Sequence, residues 1–123
     1  MSIDSISPDV AAQPYCWLTT VGRRTGRERT AELWFAAQGG TIYVLAGGRE
    51  QTGWVHNLRA EPRARMRLAS AEHSVTARTD LEGTAEEQVA RRLLAAKYQG
   101  WREGRPLSRW AATSLPVAFD LRD

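Results

Sequence analysis

The sequence predicts a mainly β (α+β) domain: an antiparallel barrel of about six strands, with a short helix after the third strand and a longer helix before the last. Three observations carry this. Apolar runs of strand length recur between glycine-marked reversals over residues 15–46. Arg63-Ala64-Arg65-Met66-Arg67-Leu68 alternates strictly, with the two-residue period of a strand. One long stretch, Ala85 to about Tyr98, carries helical spacing.

Residues 1–13 are small and polar with Pro8 as a breaker, which predicts a flexible N-terminal arm or short helix ahead of a barrel domain over 14–123. Tyr15 to Val21 is rich in aromatic and β-branched residues and reads as a strand, with Arg29 to Ala37 as its partner. Gln38-Gly39-Gly40 marks a reversal into Thr41–Ala46, a nearly continuous apolar run that predicts burial on both faces. After Gly47-Gly48 a short helix begins near Thr52; Trp54 and Leu58, and Val55 and Arg59, stand four apart, and Glu61-Pro62 ends it.

The alternating strand at 63–68 has two readings. It is a half-exposed strand whose arginines discourage edge pairing, or its arginines extend a cationic surface. Glu72 to Leu81 gives a further strand. Thr84-Ala85-Glu86-Glu87 reads as a capping box, its acids complementing the helix macrodipole. Val89, Leu93 and Leu94 form the apolar stripe, with Arg91 and Arg92 outside it. Gly100 and Gly104 break the helix, and Pro106–Trp110 suggests one helical turn. Leu115–Leu121 closes the chain as a strand that tolerates Pro116 only at its start or on an edge.

The most informative stretch is the loop between the first two strands. Arg23, Arg24, Arg27 and Arg29 crowd seven positions between and beside Gly22 and Gly26. Glycines let the chain turn sharply and leave backbone N–H groups uncovered. Such groups flanked by guanidinium forks suit phosphate or carboxylate oxygens. A solvated basic turn and a short nucleic-acid patch are the alternatives.

Composition sets limits on these readings. The chain has 123 residues, 42% hydrophobic and 25% charged, as an ordinary globular domain does. A net charge of +3 is too modest for a polycation, and no aromatic–basic repeat is present, which makes nucleic acid a weak expectation. The single cysteine, Cys16, lies in an apolar pattern and fits core packing in a reducing compartment. No signal-like start and no apolar run of roughly 20 residues is seen, so a cytoplasmic protein without membrane attachment is expected. His56 and His73 have no metal-ligand spacing, and neither a nucleophile elbow nor a Walker loop occurs, so no metal and no hydrolytic site is expected. Chemistry then rests with a borrowed cofactor, for which Trp34, Trp54, Tyr98, Trp101 and Trp110 are available as pocket walls.

Leu18-Thr19-Thr20-Val21-Gly22-Arg23-Arg24-Thr25-Gly26-Arg27 with Arg29, then Gly47-Gly48, then Trp54-Val55-His56-Asn57-Leu58-Arg59-Ala60-Glu61-Pro62, resembles the deazaflavin-dependent nitroreductase family. That family belongs to the split β-barrel flavin and deazaflavin oxidoreductases, relatives of pyridoxamine-phosphate oxidase. The resemblance implies a homodimeric six-stranded split barrel that binds coenzyme F420, a 5-deazaflavin with a phosphodiester and an oligoglutamate tail. It places the phosphate and tail on Arg23, Arg24, Thr25, Gly26, Arg27, Arg29 and Thr30. It places the deazaflavin ring along Ala46, Gly47 and Gly48, with Trp54 and Asn57 matching the family's helix. Tyr98 and Trp101 would flank a quinone-like, unsaturated or nitro acceptor, with Tyr98 as proton donor. FMN is the alternative cofactor; a carrier without turnover is the alternative role.

Overall fold

Strand period and turn chemistry build most of the molecule. The computed structural model describes residues 6–122. After a short helix α1 (Pro8–Ala11), strands β1 (Cys16–Val21) and β2 (Glu28–Leu33) form a hairpin. β3 (Ala36–Gln38) and β4 (Thr41–Ala46) form a second. A 3-10 turn (Arg49–Gln51) leads into helix α2 (Gly53–Ala60), followed by β5 (Arg63–Leu68) and β6 (Ala71–Arg78). Helices α3 (Ala85–Gln99) and α4 (Arg109–Thr113) precede the last strand, β7 (Leu115–Leu121). Over residues 1–5 the expected arm lies outside the described residues.

The seven strands make one antiparallel sheet in the order β2-β1-β5-β6-β7-β4-β3. Its two edge strands, β2 and β3, are consecutive in sequence, so the sheet curls back on itself as a split barrel. The seventh strand arises because the expected strand 29–37 breaks at Trp34-Phe35. There the Phe35 ring drops fully into the barrel, and its backbone N–H and carbonyl turn to side chains of α3.

Thr41–Ala46 is buried on both faces, as its unbroken apolar run implies. Ile42, Val44 and Ala46 enter the barrel core with Leu18, Phe35, Met66, Val75, Val117 and Phe119. Tyr43 and Leu45 face outward, under Ala90, Leu94 and Ala95 of α3. Val55 and Leu58 of α2 join the barrel core, each burial stabilising by about 1.5–3 kcal/mol. Pro116 sits where β7 has only β4 beside it, before β6 joins at Ala118, so the missing N–H breaks no ladder on that side.

Five local expectations are corrected. β5 is no edge strand, since it pairs with β1 and β6; Arg63 pairs with Glu61, Arg65 with Glu28, and Arg67 lies over the Trp17 ring. The strand expected to reach Leu81 ends at Arg78, and Leu81 packs under α3 instead. The capping box does not close: Thr84 Oγ1 donates to Leu81 O, and Glu87 Oε1 accepts from Gly83 N at 2.9 Å. Glu86 does more than complement a macrodipole, because it accepts from Arg78 and Tyr43. Arg91, expected outside the stripe, is 3% exposed and donates to Ala111 O and Ser114 O.

Candidate functional site

The β1–β2 hairpin holds its tip with two short backbone bonds, Gly22 N to Arg27 O at 2.7 Å and Gly26 N to Gly22 O at 2.9 Å. Gly26 takes φ +72°, the left-handed region that glycine enters freely. A Cβ at Gly22 would meet Arg27 O and Thr25 Oγ1 at 3.0 Å each, so the turn leaves no room for one. Asn57 of α2 tethers the loop. Its Oδ1 accepts from Arg23 N at 3.2 Å and Arg23 Nη1 at 3.1 Å, and its Nδ2 donates to Thr20 Oγ1 at 3.1 Å. At 6% exposure Asn57 is a buried amide with both ends satisfied.

Two adjoining cavities of about 250 Å³ each form a groove here. Arg23, Arg24 and Thr25 line one, Thr30, Ala31 and Trp54 line the other, and Arg29, Gly53 and Asn57 border both. Gly53 opens α2, and nothing lies within 4 Å of the position its Cβ would take, so the helix's first N–H groups are approachable. Arg24, Arg27 and Arg29 make no ion pair among the described residues. Arg49, Arg63, Arg65, Arg78 and Arg91 are all paired with carboxylates. Glu28, the acid within the loop sequence, is turned to Arg65 at 2.7 Å. Unneutralised guanidinium groups beside a helix N-terminus suit a multiply charged anion. The donor set therefore fits a phosphate and carboxylate tail. Gly26 and Arg27 stand at the hairpin tip, outside the groove lining.

A larger cleft of about 480 Å³ lies along the other half of β2, lined by Tyr15, Leu33, Trp34, Leu45 and Trp110, with Glu32 and Gln99 at its polar rim. Trp34, 41% exposed, stacks on Tyr98 with centroids 4.4 Å apart and planes at 2°, and meets Trp110 edge-on at 5.4 Å. Gly47 backs the Trp110 ring, where a Cβ would lie 3.7 Å away. Ala46 is buried and pairs with Leu115. Gly48 precedes the 3-10 turn, and a Cβ there would stand 2.8 Å from Thr52 Oγ1, a buried hydroxyl with no hydrogen-bond partner among the described residues. Gly47 thus adjoins the Trp110 wall of the aromatic cleft, while Ala46 turns into the barrel core and Gly48 lies against Thr52.

Tyr98 and Trp101 make different polar contacts. The Tyr98 hydroxyl sits 2.8 Å from Pro14 O and 3.0 Å from Phe35 O, and accepts from Phe35 N at 3.0 Å. Burial pushes its pKa up to about 12. Trp101 donates its indole N–H to Arg105 O and lines a separate depression with Arg105 and Pro106. Spacing and motif do not point to Tyr15, a wall of the cleft, or to Lys97. The signal available for Lys97 was its being the single lysine among 17 basic residues.

The described residues thus form a curled split barrel that carries an arginine groove and an aromatic cleft along one strand. A family model for the F420H(2)-dependent quinone reductases matches residues 4–119, and the chain belongs to that family. An F420H(2)-dependent quinone reductase of Mycobacterium tuberculosis is 33% identical over 70 residues, covering 54% of this chain and 47% of that protein. The chain thus spans about half the length of the curated relatives it matches. Among solved structures, an F420-H2 dependent reductase superposes with a TM-score of 0.64 at 23% identity, over 89% of this chain and 95% of its own. A conserved hypothetical protein of Mycobacterium tuberculosis gives 0.71 at 16% identity, over 100% and 85%. At these identities the superpositions speak for the fold.

Proposed function

We infer that the protein is a coenzyme F420-dependent oxidoreductase that delivers a hydride to a flat electrophile of the quinone type. The observation that carries the reading is the continuity of β2. Arg29, Thr30 and Ala31 border the cationic groove, and Glu32, Leu33 and Trp34, the residues that follow, border the aromatic cleft. Four residue steps of β2, Arg29 to Leu33, span about 13 Å. A ligand with a polyanionic tail and a flat aromatic head needs those two surfaces in that order.

On this reading Arg23, Arg24 and Arg29, with Thr25 and Thr30, hold the phosphate and the near end of the tail. Arg27 reaches its far carboxylates, and Gly26 permits the turn. Asn57 fixes Arg23, and Trp54 walls the groove between tail and ring. Ala46, Gly47 and Gly48 would run along the deazaflavin ring, with Gly47 at the Trp110 wall of the cleft. When bound, reduced deazaflavin supplies a hydride from C5, and a proton from solvent completes reduction of a quinone to a hydroquinone. The protein's part is orientation and exclusion of water. We further infer a cytoplasmic homodimer; the buried, unpaired Cys16 thiol accords with a reducing compartment.

The test is a spectral titration of the purified protein with F420 and, separately, FMN, followed by F420H2 oxidation with a naphthoquinone and a nitroaromatic. Micromolar F420 binding, weak FMN binding and naphthoquinone-dependent turnover are expected. Stoichiometric FMN with no F420 binding would replace the cofactor assignment, and F420 binding without turnover on any acceptor would make the protein a carrier.

A further inference from the structure

Lys97 is the chain's single lysine, and its ammonium is not free. It donates to Ala11 O at 2.9 Å, Gln13 O at 2.7 Å and Phe35 O at 2.8 Å, which uses all three protons. It also lies 3.8 Å from the centroid of the Phe35 ring and 5.1 Å from that of Tyr98. No carboxylate pairs with it among the described residues, and burial lowers its pKa. A half-buried cation without a counter-ion is a poor stabiliser in itself. What it does do is gather three carbonyls from two distant segments at one point.

Tyr98, the next residue, repeats the grip. Its hydroxyl joins Pro14 O to the backbone of Phe35, and its ring backs Trp34. Consecutive side chains of α3 therefore hold residues 11–14 and Phe35 together. Each held segment leads directly to a wall of the cleft: Tyr15 follows Pro14, and Trp34 precedes Phe35.

We propose that Lys97 and Tyr98 are positioning residues, a two-pronged clasp that holds Tyr15 and Trp34 as preset walls of the aromatic cleft and so sets its affinity for a flat acceptor. The proposal rests on the functional reading in taking this cleft to hold a planar acceptor, stacked beside the deazaflavin ring and against Tyr15 and Trp34. Lys97→Met keeps the aliphatic stem and removes the three bonds. Tyr98→Phe keeps the stacked ring and removes the hydroxyl.

The experiment compares wild type, Lys97→Met, Lys97→Arg and Tyr98→Phe in the full chain. Three quantities are read: amide exchange of residues 8–15 and 34–36, quenching of tryptophan fluorescence by 2-methyl-1,4-naphthoquinone without cofactor, and steady-state kinetics with F420H2. In Lys97→Met, exchange in both segments speeds at least tenfold while β5 and β6 keep their rates. The naphthoquinone Kd and KM rise about five- to tenfold, with kcat within twofold of wild type. Tyr98→Phe shifts the same quantities in the same direction by less, and Lys97→Arg recovers part of the loss. A naphthoquinone that does not bind wild type overturns the proposal, as does a Kd unchanged in both variants. A fall in kcat with KM unmoved in Tyr98→Phe also overturns it, by making that hydroxyl a proton donor. Should Lys97→Met not fold, Tyr98→Phe decides by the same criteria. Failure of wild type to bind F420 would sink the functional reading, and the clasp is then judged on exchange and naphthoquinone quenching alone.

Discussion

Asn57 shows how one amide can set a charged loop. Its carbonyl collects two donors of Arg23, and its NH2 is anchored on Thr20. Asn57→Ala leaves a buried threonine hydroxyl and a loop amide without partners, which costs about 1–3 kcal/mol. A urea denaturation midpoint reads that loss, and F420 affinity should fall with it, since Arg23 is no longer held. Unchanged stability would remove Asn57 from this role. Cys16 makes a contrasting residue-scale case. Burial pushes its thiol up to about 12, so at neutral pH it is protonated as well as inaccessible. A disulfide reagent should leave the native protein unlabelled and react once the chain is unfolded in urea; fast labelling of the native state would place the thiol near the surface.

At the scale of elements, α3 is tied to the sheet by arginines as much as by its apolar stripe. Arg78 of β6 bridges Glu86 of α3 and Asp120 of β7, and Tyr43 of β4 donates to the same Glu86 carboxylate at 2.6 Å. Hydrogen bonds from Arg78 first, and Tyr43 second, lower the Glu86 pKa from 4.5 to about 2. The folded state thus prefers the ionised carboxylate. Its contribution is complete above pH 4.5 and drains away as pH falls toward 2. Melting curves between pH 6 and 2.5 should show Glu86→Gln less stable than wild type at the upper end, with the gap closing on acidification; a constant gap would contradict the linkage. Arg91 acts on the other side of the helix. Arg91→Met deprives Ala111 O and Ser114 O of a donor and should cost about 3 kcal/mol, read as a lower denaturation midpoint. Spacing alone leaves Arg91 outside the apolar stripe because its carbonyl partners, Ala111 O and Ser114 O, lie on α4 and its flank, and only the folded arrangement brings them to it.

For the whole molecule, what was legible followed from local pattern. The hairpin with its cationic tip, the doubly buried run at 41–46, the helix over 85–99 and the closing strand all announce themselves in periodicity and glycine placement. What stayed hidden depended on long-range partners. The break at Trp34-Phe35 is set by side chains of α3 more than sixty positions away. The arginine ladder of β5 looked like an edge because nothing in its own sequence names β1 and β6 as neighbours. The groove is readable as a charged motif, but Trp54 joins it only through the family resemblance, and Gly53 only through the fold. The different polar contacts of Tyr98 and Trp101 are likewise a matter of loop path after Gly100, whose φ of +65° turns the chain out of α3.

The assignment of the arginine groove to a polyanionic tail is tested most directly by comparing F420 with its tail-less deazaflavin core on wild type and on Arg24→Ala/Arg29→Ala. Each charge-assisted bond lost is worth about 1.5–3 kcal/mol, and about 1.4 kcal/mol is a factor of ten in affinity. We expect the double variant to bind F420 at least tenfold more weakly and the core within twofold of wild type. Equal losses for both ligands, or none for either, would contradict the assignment.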